Sequence, residues 1–203
     1  MTVAESNKVD AFTAEVIRSA VVAITTEMKT NLMRTAYNQI IYEAEDFTVG
    51  LFDADGNTIS IGLGLPMFIR GLSDTIKAKL AHWGKDQILP GDILLTNDSY
   101  VMGSHLNHLI FTLPVFNAGE LMGFASSMAH WPDIGGVLGG VTRDIYSEGL
   151  QLPFVKIYKQ GVQDAELTAI IRANVRLPDR AMGDFRAQIA SIRTGERRSA
   201  HLL

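Results

Sequence analysis

Residues 92–140 read DILLTNDSYVMGSHLNHLIFTLPVFNAGELMGFASSMAHWPDIGGVLGG and hold three of the chain's five histidines. Two apolar runs flank Asn117-Ala118-Gly119, a pattern that predicts a β-hairpin. In such a hairpin His130, at the end of the second run, returns to the neighbourhood of His108, at the start of the first. Distance along the sequence then overstates the real separation of the histidines.

His105 and His108 stand three residues apart, beside Gly103 and Ser104. Imidazoles at i and i+3 face a common point on a helical turn or tight loop, whereas on a strand they point to opposite faces. The Gly103-Ser104 lead-in therefore favours a turn. Neutral imidazoles suit divalent zinc, manganese or iron, and a carboxylate such as Asp98 or Asp133 would complete a nitrogen and oxygen set with an open position. Either acid is also a candidate general base. A site of this kind polarises a carbonyl or activates water. The plainer alternative is that the three histidines are core or hydrogen-bonding residues.

The segment AHWPDIGGVLGG lets backbone approach a ligand closely and lets N–H groups converge on an anion. It lacks the Lys-Ser/Thr ending of a phosphate-binding loop and has no GxGxxG pattern. No GxSxG is present, and Ser104 beside His105 is adjacency in sequence, not a base geometry.

Working outward, residues 9–41 carry apolar positions stepping by four, from Phe12 through Val16, Ala20, Ile24, Met28, Leu32 and Ala36 to Ile40, which predicts one long helix. At ~1.5 Å per residue it would be roughly 45 Å long, so part of its stripe is expected either on another chain or along its own core. Residues 47–60 alternate and turn on Asp53-Ala54-Asp55-Gly56, as a hairpin does. A calcium loop there fails for want of a closing glutamate. Residues 61–67 read as a Gly/Pro loop, and Ile69, Leu72, Ile76 and Leu80 predict a second helix ending near His82-Trp83-Gly84. His82 at that end reads as a capping or surface residue. Pro90-Gly91 turns into a strand over 92–96. Beyond residue 140, an apolar run over 149–158 and a turn at Lys159-Gln160-Gly161 precede a helix capped by Asp164. A last helix carries Met182, Phe185, Ile189 and Ile192. The sum is an α+β fold, a mixed sheet with hairpins packed against long helices.

The 203 residues, 47% hydrophobic and 20% charged, are ordinary for a globular chain with a sizeable core. A net charge of −4 without basic runs argues against nucleic acid or an anionic membrane as partners. The absence of cysteine removes disulfides, thiolate ligands and a thiol nucleophile, so any metal is held by nitrogen and oxygen. The first residues carry acids rather than a signal-peptide core, and no apolar run approaches the ~20 residues of a membrane span. A cytoplasmic protein is the expectation.

The chain resembles the B-type subunit of the hydantoinase and oxoprolinase family, whose relatives include the large subunits of acetone and acetophenone carboxylases. The likeness is carried, in order, by EDFTVGLFDADG (45–56), PGDILLTNDSY (90–100), GSHLNHLIFTLPVF (103–116), GELMGFASSMAHWPDIGG (119–136) and NVRLPDRAMGDFRAQIASIRTGERR (174–198). It implies ATP-dependent opening of a cyclic amide (a hydantoin, oxoproline or another lactam). The nucleotide would sit on a hydantoinase-A-like partner, in keeping with the lack of a phosphate-binding motif here. It also implies a metal on His105, His108 and His130. His108 stands where the family pattern most often has aspartate, which removes one negative charge and softens the site. Residues 62–71 lack the histidine that hydantoinase-like members tend to carry there. Family subunits usually run to several hundred residues, so residues 1–203 are expected to be the N-terminal part of a split or truncated subunit, with another chain supplying the C-terminal half. Two alternatives follow: a subunit of a ketone carboxylase that uses bicarbonate, or an assembly subunit without catalysis.

Overall fold

The computed structural model describes residues 9–138 and 141–202. Gly139 and Gly140, which close the glycine-rich segment, lie outside the described residues, as do residues 1–8, read above for a leader. The centre is a seven-stranded sheet in the order β2-β1-β5-β4-β3-β6-β7. Its strands are β1 (Phe47–Asp53), β2 (Thr58–Leu63), β3 (Ile93–Thr96), β4 (His108–Asn117), β5 (Glu120–His130), β6 (Val155–Lys159) and β7 (Val162–Gln163). The α+β class is as expected, but each of the sheet's pairings is antiparallel rather than mixed. Short turns join β1 to β2, β4 to β5 and β6 to β7, which requires these pairs to be antiparallel, since a parallel pair needs a crossover of a dozen residues or more.

The predicted hairpin is β4–β5. Its two-residue turn puts Ala118 at φ 49° and Gly119 at φ 86°, the doubly left-handed geometry that matches strand twist and that glycine adopts at no cost. From the Asn117–Glu120 pair the ladder passes a bulge between Val115 and Phe116 and then runs to His108 opposite His130. Alternation then sorts the two faces. Leu109, Phe111, Leu113 and Val115 join the core beneath two long helices, α1 (Ala11–Thr35) and α7 (Pro178–Ala200). Ile110, Phe124 and Met128 face the other way, into a second core under α3 (Gly71–Trp83). Helices therefore cover both faces. The remaining helical pieces are α2 (Gln39–Tyr42), α4 (Ser99–Met102), α5 (Ile145–Glu148) and α6 (Ala165–Asn174), the last capped by Asp164 as predicted.

Two expectations shift. The N-terminal helix does not run on to residue 41 but stops at Thr35, because the buried carboxylate of Asp184 accepts the backbone N–H groups of Tyr37 (2.7 Å) and Asn38 (3.1 Å). Asn38 then caps α2 through Ile40 N at 3.0 Å. The stretch 61–67 begins as strand, since β2 extends to Leu63. Its glycines serve close packing, not only turning: a Cβ on Gly64 would stand 2.0 Å from Glu45 O.

Two buried polar side chains tie the layers together. Gln188 of α7 accepts from Trp131 Nε1 at 2.9 Å and donates to Leu109 O at 3.0 Å. Lys79 of α3 is 1% exposed and donates to Thr112 Oγ1 at 2.9 Å and to the carbonyls of Ile110 and Leu94. It makes no ion pair among the described residues, and burial holds its ammonium well below the ordinary lysine range. Gln188→Leu strands the indole N–H and should cost about 1–3 kcal/mol in denaturant unfolding. Lys79→Met should raise stability by about 1 kcal/mol or more near neutral pH. A depressed lysine loses stability as pH falls, so the advantage of Lys79→Met in thermal melts should shrink as pH rises toward 10.5, the ordinary lysine value.

Candidate metal centre

The three histidines meet at one end of the β4–β5 hairpin. Ring centroids are 4.5 Å apart for His105–His108, 5.0 Å for His105–His130 and 5.2 Å for His108–His130. His105 lies in the predicted turn, after Gly103 ends α4 in left-handed conformation at φ 73°. The ladder brings in His108 and His130. A fourth group was missed by the sequence reading: Asp46, 62 residues before His108, places Oδ1 3.0 Å from His108 Nε2.

Sheet order explains the meeting. Phe47 of β1 pairs with Ala129 of β5, so the residue before it abuts His130, and His130 N donates to Asp46 O at 3.1 Å. Asp46, His130 and His108 thus form a row across β1, β5 and β4. The row is braced from outside the sheet. Asn38 Nδ2 donates to His130 O, and Asn107 Nδ2 to Trp131 O, both at 2.8 Å. Phe68 packs on the His108 ring, 4.8 Å between centroids.

Burial and neighbouring groups shift the titration of the cluster. Burial, then the neighbouring His108, lowers the pKa of His130 to about 4 against the pull of Asp46. His105 is lowered for the same two reasons. Burial works against the charge on Asp46, yet the hydrogen bond from His108 and the surrounding imidazoles outweigh it, and its pKa is lowered. At physiological pH an ionised Asp46 therefore stands near a neutral His105 and a neutral His130, the protonation states a divalent ion requires of its ligands. His130 Nδ1 is buried without a hydrogen-bond partner. Among the described residues no three His, Asp or Glu side chains are placed so as to hold a metal ion together. Asp46 Oδ1 and His108 Nε2 are hydrogen-bonded to each other instead. The donors, three imidazoles and one carboxylate with no sulfur, fit zinc, manganese or iron.

The two acids favoured from sequence have other partners. Asp98 caps α4, accepting from Tyr100 N at 3.0 Å. Asp133 lines a cavity of about 310 Å³ together with His105, His130, Asn107 and Glu148. It accepts from Gly135 N at 2.9 Å, from Arg176 Nη1 at 2.6 Å and from Arg176 N. Burial opposes its charge, but these donors hold its pKa below the usual carboxylate value. Glu148, also unnoticed in the sequence, fastens the histidine turn by accepting from Leu106 N at 3.2 Å.

A half-buried nitrogen and oxygen cluster on an antiparallel sheet between helical layers defines the class, and the chain belongs to the hydantoinase B/oxoprolinase family, which it matches over residues 10–203. Among its relatives is the caprolactamase subunit beta of Pseudomonas jessenii, 33% identical over 201 residues, covering 97% of this chain and 34% of that subunit. Another is 5-oxoprolinase 1 of Arabidopsis thaliana, 29% identical over 206 residues, covering 93% and 16%. The crystal structure of the ATP-dependent caprolactamase from Pseudomonas jessenii superposes with a TM-score of 0.89 at 32% identity, over 97% of this chain and 34% of that one. Nucleotide-free acetone carboxylase gives 0.86 at 19% identity over 95% and 26%, a likeness of fold alone. The chain spans about a third of the length of the subunit-type relatives it matches. Among the described residues no helix is long and apolar enough to cross a membrane.

The sign of the pH dependence follows from His130. The unfolded imidazole takes a proton near the ordinary 6.5 while the folded one resists until about 4, so stability is full above the first value and declines as pH falls toward the second. The lowered Asp46 pKa acts in the same sense at more acidic pH. Thermal melts from pH 7 to 4 should show a falling midpoint, with a shallower fall in His130→Asn; equal slopes would contradict this account.

Proposed function

We propose that this chain forms the metal-bearing part of a multisubunit, ATP-dependent cyclic-amide hydrolase, with ATP bound by a hydantoinase-A-like partner. The observation that carries the proposal is the meeting of His105, His108, His130 and Asp46 beside a cavity. Family membership and the relatives' names support the reaction class, and the lack of a phosphate-binding motif supports a separate nucleotide subunit. The fourth-ligand role offered above to Asp98 or Asp133 passes to Asp46, which is in contact with the cluster.

A divalent ion held there supplies Lewis acidity toward a carbonyl oxygen and makes water a usable nucleophile near neutral pH. The chain's own residues do the rest. Asp46 stays ionised and His105 and His130 stay neutral, so these donors need lose no net proton before binding. Asp133, kept ionised and fixed by Arg176 and Gly135, presents a hydrogen-bond acceptor to the same cavity, suited to orienting an amide N–H or a water. Pro132 and Ile134 flank it in the cavity wall.

The test is elemental analysis of the chain purified with its native partners. Wild type should carry about one zinc, manganese or iron per chain, as sites of this ligand number do. Asp46→Asn and His105→Ala should lose both metal and lactam hydrolysis, whereas His108→Asp should retain metal. A wild-type complex that turns over lactam with no metal above background would end the proposal.

A further inference from the structure

The hydrogen bonds around the histidine rings distinguish one imidazole that is set in advance from one that is convertible. His105 Nδ1 lies 3.2 Å from Asn107 Oδ1, whose amide nitrogen is already committed to Trp131 O. The amide oxygen only accepts, so His105 carries its proton on Nδ1 and leaves Nε2 as a lone pair. His108 differs. Its Nδ1 is 2.7 Å from Ser104 Oγ and its Nε2 is 3.0 Å from Asp46 Oδ1. The residue is 1% exposed and lies against Phe68, so solvent is poorly placed to replace either partner.

We infer that Ser104 is a positioning residue whose hydroxyl lets His108 exchange one tautomer for the other as the site fills, an inference that rests on the metal reading above. A neutral imidazole has one N–H and one lone pair. With the proton on Nε2, His108 donates to Asp46, and Ser104 must donate to Nδ1. For Nε2 to act as a ligand, the proton must sit on Nδ1, and Ser104 must accept it. A hydroxyl does both by rotating its hydrogen, and His108 neither gains nor loses a proton overall. A carbonyl or a carboxylate partner at Nδ1 would permit only the second state. Asp46, the partner at Nε2, is thereby released from His108 when a cation comes between them. The position of Ser104 is built in, since it follows Gly103, whose N–H closes α4 on Ser99 O at 2.9 Å.

The experiment uses the full chain labelled with ¹⁵N-histidine and zinc as the probe, with the wild type, Ser104→Ala and Ser104→Thr. Long-range ¹H–¹⁵N correlation should place the His108 proton on Nε2 without zinc and on Nδ1 with it. Ser104→Ala should show mixed tautomers without metal, weaken zinc binding about 10–100-fold in chelator competition, and alter the visible spectrum of the cobalt-substituted chain. Ser104→Thr, which keeps the hydroxyl, should restore all three. Wild-type zinc affinity and an unchanged cobalt spectrum in Ser104→Ala would overturn the inference, as would a His108 proton that stays on one nitrogen when zinc binds. If the wild type takes up no zinc, the metal reading fails by itself. The metal-free spectra then decide Ser104: a wild-type tautomer that becomes mixed in Ser104→Ala supports its role, and an unchanged one removes it.

Discussion

The register of the β4–β5 hairpin is the constraint on which the rest depends. Its turn sets Asn117 opposite Glu120, a bulge between Val115 and Phe116 shifts the pairing by one residue, and the ladder then runs unbroken from Val115–Gly123 to His108 opposite His130. A slip of one residue would send every side chain of a strand to the other face. Leu109 and Phe111 would leave the core under the long helices, and His108 would leave the row that includes Asp46. The hydrophobic sorting that stabilises the sheet and the placing of the histidines are therefore one event. Selection for a packed core holds the site in register as well.

The long helices reach the same row by polar contacts. Asp184 of α7 holds the N–H groups of Tyr37 and Asn38, Asn38 donates to the carbonyl of His130, and Gln188 holds the indole of the next residue, Trp131. The break after α1 is thus a fixture of the site. A continuous helix would spend the Asn38 N–H on its own ladder and carry the amide side chain away from the histidine strand. Such buried polar contacts add little net stability each, but unpairing any one of them is expensive, so they specify position more than they strengthen the fold.

Much of this was legible in the sequence. Two apolar runs on either side of Asn117-Ala118-Gly119 gave the hairpin, and the hairpin brought His130 back to His105 and His108. The ends of helices set by local caps, such as Asp164 and Gly84, were also readable. Asp46 was not, because its partner is chosen by the pairing of β1 with β5, and strand order is a property of the assembled sheet. The stop at Thr35 was hidden for the same reason: apolar spacing continues through Ala36 and Ile40, and the competing acceptor is Asp184, 147 residues away. Asp98 misled because an acid beside a histidine segment looks the same in sequence whether it faces a cavity or caps a helical turn. Lys79 passed unremarked, since one lysine in a helical stripe ordinarily keeps its head in water.

The turn and the histidines occupy opposite ends of one hairpin, and this sets an order of assembly. Closing a loop costs more entropy the longer it is, so the Asn117–Glu120 rung is the easiest to form and the His108–His130 rung the hardest. The cluster comes into being only when zippering has reached its last step and β1 has docked alongside. The His130 amide, bonded to Asp46 O, marks whether the seam has held. The histidine row is thus the clasp at the open end of the seam, and it is complete only in a chain whose central sheet has finished folding.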